Sequence, residues 1–408
     1  MVERLRGFRD FYPEEQEIRR VIFNTMKERC RSFGFKEIDG PSIESMQLYS
    51  HKVGQQITTQ MFSFKDKGGR DVTLIPEFTP SLSRMVSTRK DLVKPLKWYS
   101  LTKFWRYEEP QSGRFREFYQ LNADILGSES YLADAEVTTL AADILISLGI
   151  SSKVKLRVNS RILMDSIIER FLENKKEESY FILDGWNKYT DEERMKVAEE
   201  KKLDTDTLKL IASGNILKEY SSPELDKLKM TIELIKNYGD IDVELDLRVV
   251  RGLAYYTGFV FEAWDKEEKM RAILGGGRYD NIISQLGGDR TPAVGFAIGD
   301  AVIENIMKHE GLWVRKQDRS VFIATIDKKG IDYSILVAKK LRDLGVNSDK
   351  NVVERGISKQ LEYAAKMGYE RVIILGENEF VRKSVVVKNL TSGKQEEIKI
   401  DHLEDIVN

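Results

Sequence analysis

The run Arg251-Gly252-Leu253-Ala254-Tyr255-Tyr256-Thr257-Gly258-Phe259-Val260-Phe261-Glu262 constrains this chain more than any other segment. An arginine stands just before a glycine and two tyrosines follow. A second glycine then opens an apolar strand that ends in a carboxylate. A strand buried in a core needs none of that polar and aromatic equipment. A pocket that holds a small zwitterion beside a phosphate has a use for all of it.

At 408 residues the chain is too long for one ordinary domain, and two or three are expected. The apolar fraction is 41% and the charged fraction 32%, a balance that suits a water-exposed globular protein. No window approaches about eighteen apolar residues, so no membrane-spanning segment is expected. The charged start Met1-Val2-Glu3-Arg4-Leu5-Arg6 has no apolar core behind it and does not read as a signal peptide. A single cysteine excludes an internal disulfide and a thiolate zinc cluster. Scattered histidines at 51, 309 and 402 argue against a zinc hydrolase, and no resident metal is expected. The net charge of −1 leaves room only for local contact with nucleic acid.

Between Pro13 and Phe33 the apolar residues Ile18, Val21, Ile22, Met26, Cys30 and Phe33 recur at helical spacing. Pro13 with Glu14 and Glu15 makes a good first turn, and Gly34 a good stop. Cys30 falls on the buried stripe and reads as core packing. A β-rich stretch follows, broken at Pro41, with Gly68-Gly69 as a hairpin turn between strands at 61–64 and 72–75. Strands are expected over 96–107 and 117–126. The polar segment 108–116 joins them and is longer than a tight turn needs, as functional loops often are. Lys/Glu-rich helices occupy 161–238. Strands resume at Val243 and run, with glycine interruptions, to Ile298, and a helix over 301–307 leads to a boundary near 316–318. The remainder alternates strands at 321–325, 371–375, 381–388 and 396–400 with helices at 333–344 and 358–367, a small α/β domain of its own. The chain therefore reads as a multidomain α/β protein divided at 1–160, 161–242, 243–316 and 317–408.

Alternation along 117–126 puts Tyr119, Leu121, Ala123 and Ile125 on one face and Phe118, Gln120, Asn122 and Asp124 on the other. That second face mixes amides with a carboxylate and lies across a hairpin from Arg106. Such a surface makes a floor for an amino acid or a nucleotide. Glu77 and Thr79, two apart, can both receive an ammonium group, although Thr79 before Pro80 also suits a helix N-cap. Arg114 and Arg116 flank Phe115 on the polar loop, where guanidinium groups suit phosphate recognition. Gly275-Gly276-Gly277-Arg278-Tyr279-Asp280 follows an expected strand at 271–274. Its spacing is not that of the dinucleotide fingerprint. Three glycines let backbone approach a flat ligand, or simply make a bulge or tight turn. Gly295-Phe296-Ala297-Ile298-Gly299 runs as a strand into the next helix.

Together these segments resemble the histidyl-tRNA synthetases, a family of class II aminoacyl-tRNA synthetases, over nearly the whole chain. Arg6-Gly7-Phe8-Arg9-Asp10-Phe11-Tyr12-Pro13-Glu14-Glu15 is similar to the family's N-terminal signature, and the first helix with Pro41 to class II motif 1. Phe104-Trp105-Arg106-Tyr107-Glu108 through Arg116 to Asp124 resembles motif 2. The run from Arg251 and its companion Gly275–Asp280 resemble signatures peculiar to the histidyl enzymes. The last domain, with Lys359-Gln360-Leu361-Glu362-Tyr363-Ala364 and Ile374-Leu375-Gly376-Glu377, resembles the class IIa anticodon-binding domain.

The resemblance implies an antiparallel class II sheet flanked by helices, a helical insertion and a C-terminal α/β anticodon-binding domain. It implies L-histidine, ATP with Mg²⁺, and histidine tRNA as substrates and partners, a homodimer, and a cytoplasmic location. Arg106 and Arg251 would be the catalytic residues, flanking the α-phosphate. Glu77, Thr79, Gln120, Asp124, Tyr255 and Tyr256, with Arg106 and Arg251, would bind histidine. Arg106, Glu108, Arg114, Gly276 and Arg278 would seat ATP. Two positions depart from the family. Ala254 stands where an aspartate is usual, and Val302 where motif 3 carries the arginine that grips the γ-phosphate, with Arg278 or Arg290 as candidate substitutes. A second reading is a synthetase-like regulatory subunit of ATP phosphoribosyltransferase, which shares the catalytic fold but generally lacks the C-terminal domain. A third is a histidine- or tRNA-binding module with an inactive site.

Overall fold

The computed structural model describes residues 2–50, 58–186, 189–250, 256–268, 271–314 and 320–406. Two compact units divide the chain, Met1–Val314 and Arg315–Asn408.

Among the described residues of the first unit, eleven strands form two sheets. They are β1 (Lys36–Glu37), β2 (Ile43–Ser45), β3 (Ser63–Lys65), β4 (Asp71–Leu74), β5 (Leu96–Trp105), β6 (Glu117–Leu126), β7 (Val154–Ser160), β8 (Asp242–Leu245), β9 (Phe259–Asp265), β10 (Leu274–Arg278) and β11 (Ala293–Gly299). The large sheet has the order β1-β5-β6-β11-β10-β9-β7-β8. It is antiparallel through its middle, with parallel pairs only at β1/β5 and β7/β8. A small sheet of order β2-β4-β3 stands beside it.

Helices cover one face of the large sheet. Pro13–Ser32 starts with a proline in its first turn and two glutamates that suit the positive helix end. It buries Ile22, Met26 and Cys30. Burial pushes the Cys30 thiol up to about 12, so it stays protonated as a core residue. Tyr131–Ser147 is nearly all buried, as its almost uninterrupted Ala/Leu/Ile/Val/Thr sequence requires. Its Ser130 side chain accepts from the Leu132 N–H and caps it. Among the described residues of 161–238, the helices Arg161–Phe171, Asp191–Glu200, Thr205–Ala212 and Pro223–Tyr238 are capped in turn by Ser160, Thr190, Asp204 and Ser222, and a fifth α-helix spans Lys176–Asp184.

The triple glycine is not a turn after a strand at 271–274. It is the body of β10, hydrogen-bonded to β9 on one side and β11 on the other. The reason is steric. A Cβ on Gly276 would lie 2.5 Å from the Gly295 carbonyl oxygen, 2.6 Å from Phe261 and 2.7 Å from Phe296. Strand propensity disfavours glycine, but here no larger residue fits. Gly276→Ala is therefore expected to cost about 2–3 kcal/mol, the scale of overpacking a close-packed core. Urea unfolding measures it, and stability within a few tenths of wild type would contradict this packing.

The second unit contains β12 (Val321–Thr325), β13 (Ser348–Lys350), β14 (Arg371–Leu375), β15 (Ser384–Asn389) and β16 (Gln395–Lys399), in the order β13-β12-β14-β15-β16. The first three strands are parallel and the last two antiparallel. Helices Lys328–Asp343 and Ile357–Lys366 pack on it. Buried Gln360 accepts from the Thr325 N–H and donates to the Thr325 and Arg355 carbonyls, which pins the second helix to β12. The expected strand at 381–388 begins later. Residues Glu377–Arg382 form a helix instead, because Glu379 turns back to accept from the Gly376 N–H, and Lys383 ends it in the left-handed region at φ 50°.

Candidate active site

A cleft of about 610 Å³ opens over the end of the large sheet where β5 finishes and β6 starts. One wall is the end of β5 and the loop after it, with Arg106, Glu108, Gly113, Arg114 and Phe115. The floor is Phe118 and Gln120 from β6, Ala297 and Gly299 from β11, and Gly275 from β10. Trp264 and Arg271 stand on the far side, and the helix Asp300–His309 contributes its first turn.

Strand parity builds the floor. Register sets Gln120 opposite Gly299, Asn122 opposite Ala297 and Asp124 opposite Gly295. The large polar residues of β6 thus face small ones on β11. A Cβ on Gly295 would lie 1.8 Å from the Asp124 carboxylate, so glycine there is what admits Asp124. Gly275 meets nothing nearer than Glu262 Cγ at 4.0 Å, which leaves a flat, open patch.

Arg106 follows β5 directly. Its backbone N–H donates to the Arg116 carbonyl, its Nε donates to the Pro76 carbonyl at 2.9 Å, and its guanidinium lies 5.2 Å from the Phe118 ring. Glu108 and Arg114 form an ion pair across the loop. The loop tip is docked: Asn305 Nδ2 donates to Ser112 Oγ, and the Gly113 turn rests against Val302.

Beside the floor, farther along the same face of β6, lies a second, buried cluster. Glu77 and Asp124 are both buried, and Tyr279 donates its phenolic O–H to Asp124 at 2.6 Å. Burial pushes the Asp124 carboxyl up to about 7, against the lowering effect of that hydrogen bond. The Tyr256 phenol is raised above its ordinary value, first by burial and then by the negative fields of Glu77, Asp124 and Glu262. Gln120 Nε2 donates to Asn122 Oδ1. Thr79 is not an N-cap: it is the first residue of the helix Thr79–Ser87, Phe78 holds the cap position, and no side chain caps this helix.

Arg106, Glu108, Arg114 and Gln120 thus line the cleft, while Glu77, Asp124 and Tyr256 form the cluster beside it. Two expected nucleotide residues are placed elsewhere. Gly276 faces away, toward Phe261 and Phe296, and Gly275 is the glycine that opens on the cleft. Arg278 is buried in its own network, 2.8 Å from Asp134 and donating to the Ser128 and Ser130 carbonyls. Its role is to tie β10 to the start of the helix Tyr131–Ser147. Arg290 pairs with Glu129 on the surface and does not line the cleft. Arg251 and Tyr255, with Ala254 between them, lie outside the described residues.

Sequence reasoning missed Tyr279, Trp264 and Arg271, and the network behind the helix start. Arg9 and Arg19 both donate to Asp300, at 2.9 and 2.7 Å, and Arg9 also reaches Glu304. Arg19 is almost fully buried, its guanidinium 3.6 Å from the Phe11 ring. Tyr279 stood in view within the glycine run. Only strand register, invisible in one sequence, turns it toward Asp124.

No group of three or more potential metal-ligating side chains occurs among the described residues. The two carboxylates lining the cleft, Glu108 and Asp300, are each committed to arginines.

Comparison with known proteins agrees with this geometry. A family model described as histidyl-tRNA synthetase matches residues 7–301, and one described as anticodon binding domain matches 320–408. A histidine–tRNA ligase of Thermoplasma volcanium is 42% identical, with 98% of this chain and 97% of the relative covered. That of Picrophilus torridus is 41% identical, with 100% and 99% covered. Among solved structures, histidyl-tRNA synthetase from Nostoc sp. superposes with a TM-score of 0.84 at 23% identity, covering 99% of this chain and 98% of that one. A Bacillus halodurans protein titled ATP phosphoribosyltransferase regulatory subunit/histidyl-tRNA synthetase gives 0.76 at 22% identity, covering 92% and 98%. At those identities the two structures establish the fold. With a catalytic match from Gly7 to Ala301, a second match over the C-terminal unit and relatives above 40% identity end to end, the chain belongs to the histidyl-tRNA synthetase family.

Proposed function

We propose that this protein is a histidine–tRNA ligase, activating L-histidine with ATP and passing the histidyl group to its tRNA. The observation that carries the reading is the cleft itself. A guanidinium-lined channel over a glycine floor adjoins a buried carboxylate–tyrosine cluster. The relatives' printed activity and the matching anticodon-binding domain support it, and the regulatory-subunit reading is not favoured.

Histidine sits with its imidazole toward Asp124 and Tyr256 and its α-ammonium toward Glu77, Thr79 and Gln120. An imidazole N–H donates to the Asp124 carboxylate, whose other hydrogen bond comes from Tyr279. An amino acid without a ring N–H leaves that buried acceptor unfilled, which is how large discrimination arises without editing. The family resemblance gives Tyr255 and Arg251 a part in holding histidine as well. ATP enters as its Mg²⁺ complex, the ion held by phosphate oxygens, in keeping with the reluctance of Mg²⁺ to shed water for an all-protein cage. Glu108, Arg114 and the Gly275 floor seat the nucleotide.

The histidine carboxylate oxygen attacks the α-phosphorus. A new P–O bond forms, the bridging P–O bond breaks, and its electron pair leaves with pyrophosphate. Negative charge grows on the α-phosphoryl oxygens and is stabilised by Arg106, already in place before reaction, and by Arg251 in the role that the family resemblance gives it. A hydroxyl of the terminal ribose of tRNA then attacks the acyl carbon, and AMP departs. No side-chain nucleophile takes part. The protein works as a cytoplasmic homodimer with domains at 1–160 and 243–316 (catalytic), 161–242 (insertion) and 317–408 (anticodon).

The test is transfer of labelled histidine to acid-precipitable tRNA. Incorporation that depends on ATP and on tRNA of the histidine isoacceptor is expected. Adenylate formation without any transfer would overturn the ligase reading.

A further inference from the structure

An ammonium group donates hydrogen bonds and accepts none, so every protein atom that meets it must be an acceptor. A carboxylate such as Glu77 and a hydroxyl such as Thr79 offer oxygen whichever way they turn. Gln120 does not, because its amide carries an oxygen at one end and an NH2 at the other. Its side chain makes one hydrogen bond among the described residues, from Nε2 to Asn122 Oδ1 at 2.9 Å. The Oε1 is therefore the end left for the cleft that Gln120 lines. The reverse pairing, from Asn122 Nδ2 to Gln120 Oε1, would set an NH2 against the ammonium.

Among the described residues no other side chain holds that amide. Strand register places Gly299 opposite Gln120 on β11 and Thr102 opposite it on β5. Gly299 has no side chain, and the Thr102 hydroxyl makes no hydrogen bond to Gln120. Asn122 stands on the same face of β6, about 7 Å further along, and is buried. Stability does not account for an asparagine there. Its Nδ2 is buried without a partner, as is the hydroxyl of Ser100 directly opposite on β5. An unsatisfied buried donor is costly, and an apolar residue at this position would bring none.

We propose that Asn122 is a positioning residue: its Oδ1 holds the Gln120 amide with the oxygen toward the cleft, and so makes Gln120 an acceptor for the α-ammonium of histidine. This deepens the ligase reading and rests on it. Asn122 itself need not touch the substrate. It fixes beforehand which end of the neighbouring amide the substrate meets, so binding does not have to reorder that side chain.

The experiment is calorimetric titration of the purified full chain with L-histidine, histamine and imidazolepropionate. Histamine keeps the ammonium and lacks the carboxylate; imidazolepropionate keeps the carboxylate and lacks the ammonium. Asn122→Ala is expected to weaken histidine and histamine about tenfold and to leave imidazolepropionate within about twofold, the scale of one charge-assisted hydrogen bond. Gln120→Glu offers an oxygen whichever way it turns. In that background Asn122→Ala is expected to cost less than about threefold, a coupling that a packing role would not produce. The melting temperature should hold, since the substitution removes an unsatisfied buried donor. Equal losses for all three ligands would make Asn122 a packing residue and overturn the proposal. Histidine affinity within about twofold of wild type would overturn it as well. A wild-type chain that binds no histidine would overturn the ligase reading itself.

Discussion

Arg106→Ala should lower kcat for histidine-dependent ATP–pyrophosphate exchange by about 10³-fold, with the KM for histidine changed far less. A preorganised donor aimed at developing charge is worth roughly 10²–10³ in rate, and a guanidinium in a partly buried cleft lies at the upper end. Arg106 is held for that task. Its Nε is fixed on the Pro76 carbonyl and its plane lies near Phe118, so the charge needs no reorganisation when the phosphorus is attacked. Steady-state exchange across histidine and ATP concentrations separates the two effects. A variant that loses histidine affinity and keeps kcat would show that Arg106 only binds substrate.

Asp124→Asn should lower kcat/KM for histidine by about 10²-fold while leaving the KM for ATP nearly unchanged. An uncharged amide oxygen replaces a carboxylate acceptor, and a charged hydrogen bond is worth about 1.5–3 kcal/mol. The pH dependence carries its own sign. The folded-state value of about 7 lies above the ordinary carboxylate range because Asp124 is buried. The free enzyme therefore loses the acceptor as pH falls through about 7, and kcat/KM for histidine falls with it. The Asn variant should lack that limb and keep only the one from the substrate's own imidazole.

Stability runs the other way. A raised carboxyl binds its proton more tightly in the folded than in the unfolded chain. Its contribution is present below about pH 4 and is lost as pH rises through about 7. Asp124→Asn removes that loss, so relative to wild type it should gain stability between pH 4 and 7, by at most about 4 kcal/mol. Thermal melts at pH 5 and pH 8 read this directly. A variant destabilised more at pH 8 than at pH 5 would contradict the burial argument. The wild-type aspartate is then a case of stability given up for recognition.

How much of this was legible in the sequence follows the physics of each element. The strand at 117–126 was readable to the residue because alternation has period two and its ends carry clear breaks. That parity also placed Gln120, Asn122 and Asp124 on one face. The first helix was readable from its stripe and its proline start. The glycine strand β10 was not, because glycine signals a turn locally. Its place between two strands is dictated by Phe261, Gly295 and Phe296, residues remote in sequence. Arg278 was misread for a related reason: a positive charge near a ligand motif does not reveal which way it points, and its partner Asp134 is buried on another element. The helix at 377–382 depends on one side-chain cap that an apolar pattern cannot show.

Histidine-dependent ATP–pyrophosphate exchange by the unmodified chain tests the central claim most directly. Label should move from pyrophosphate into ATP when L-histidine is added, and stay at background with the other amino acids. Absence of histidine stimulation at saturating ATP, or equal stimulation by an amino acid lacking a ring N–H, would contradict the account.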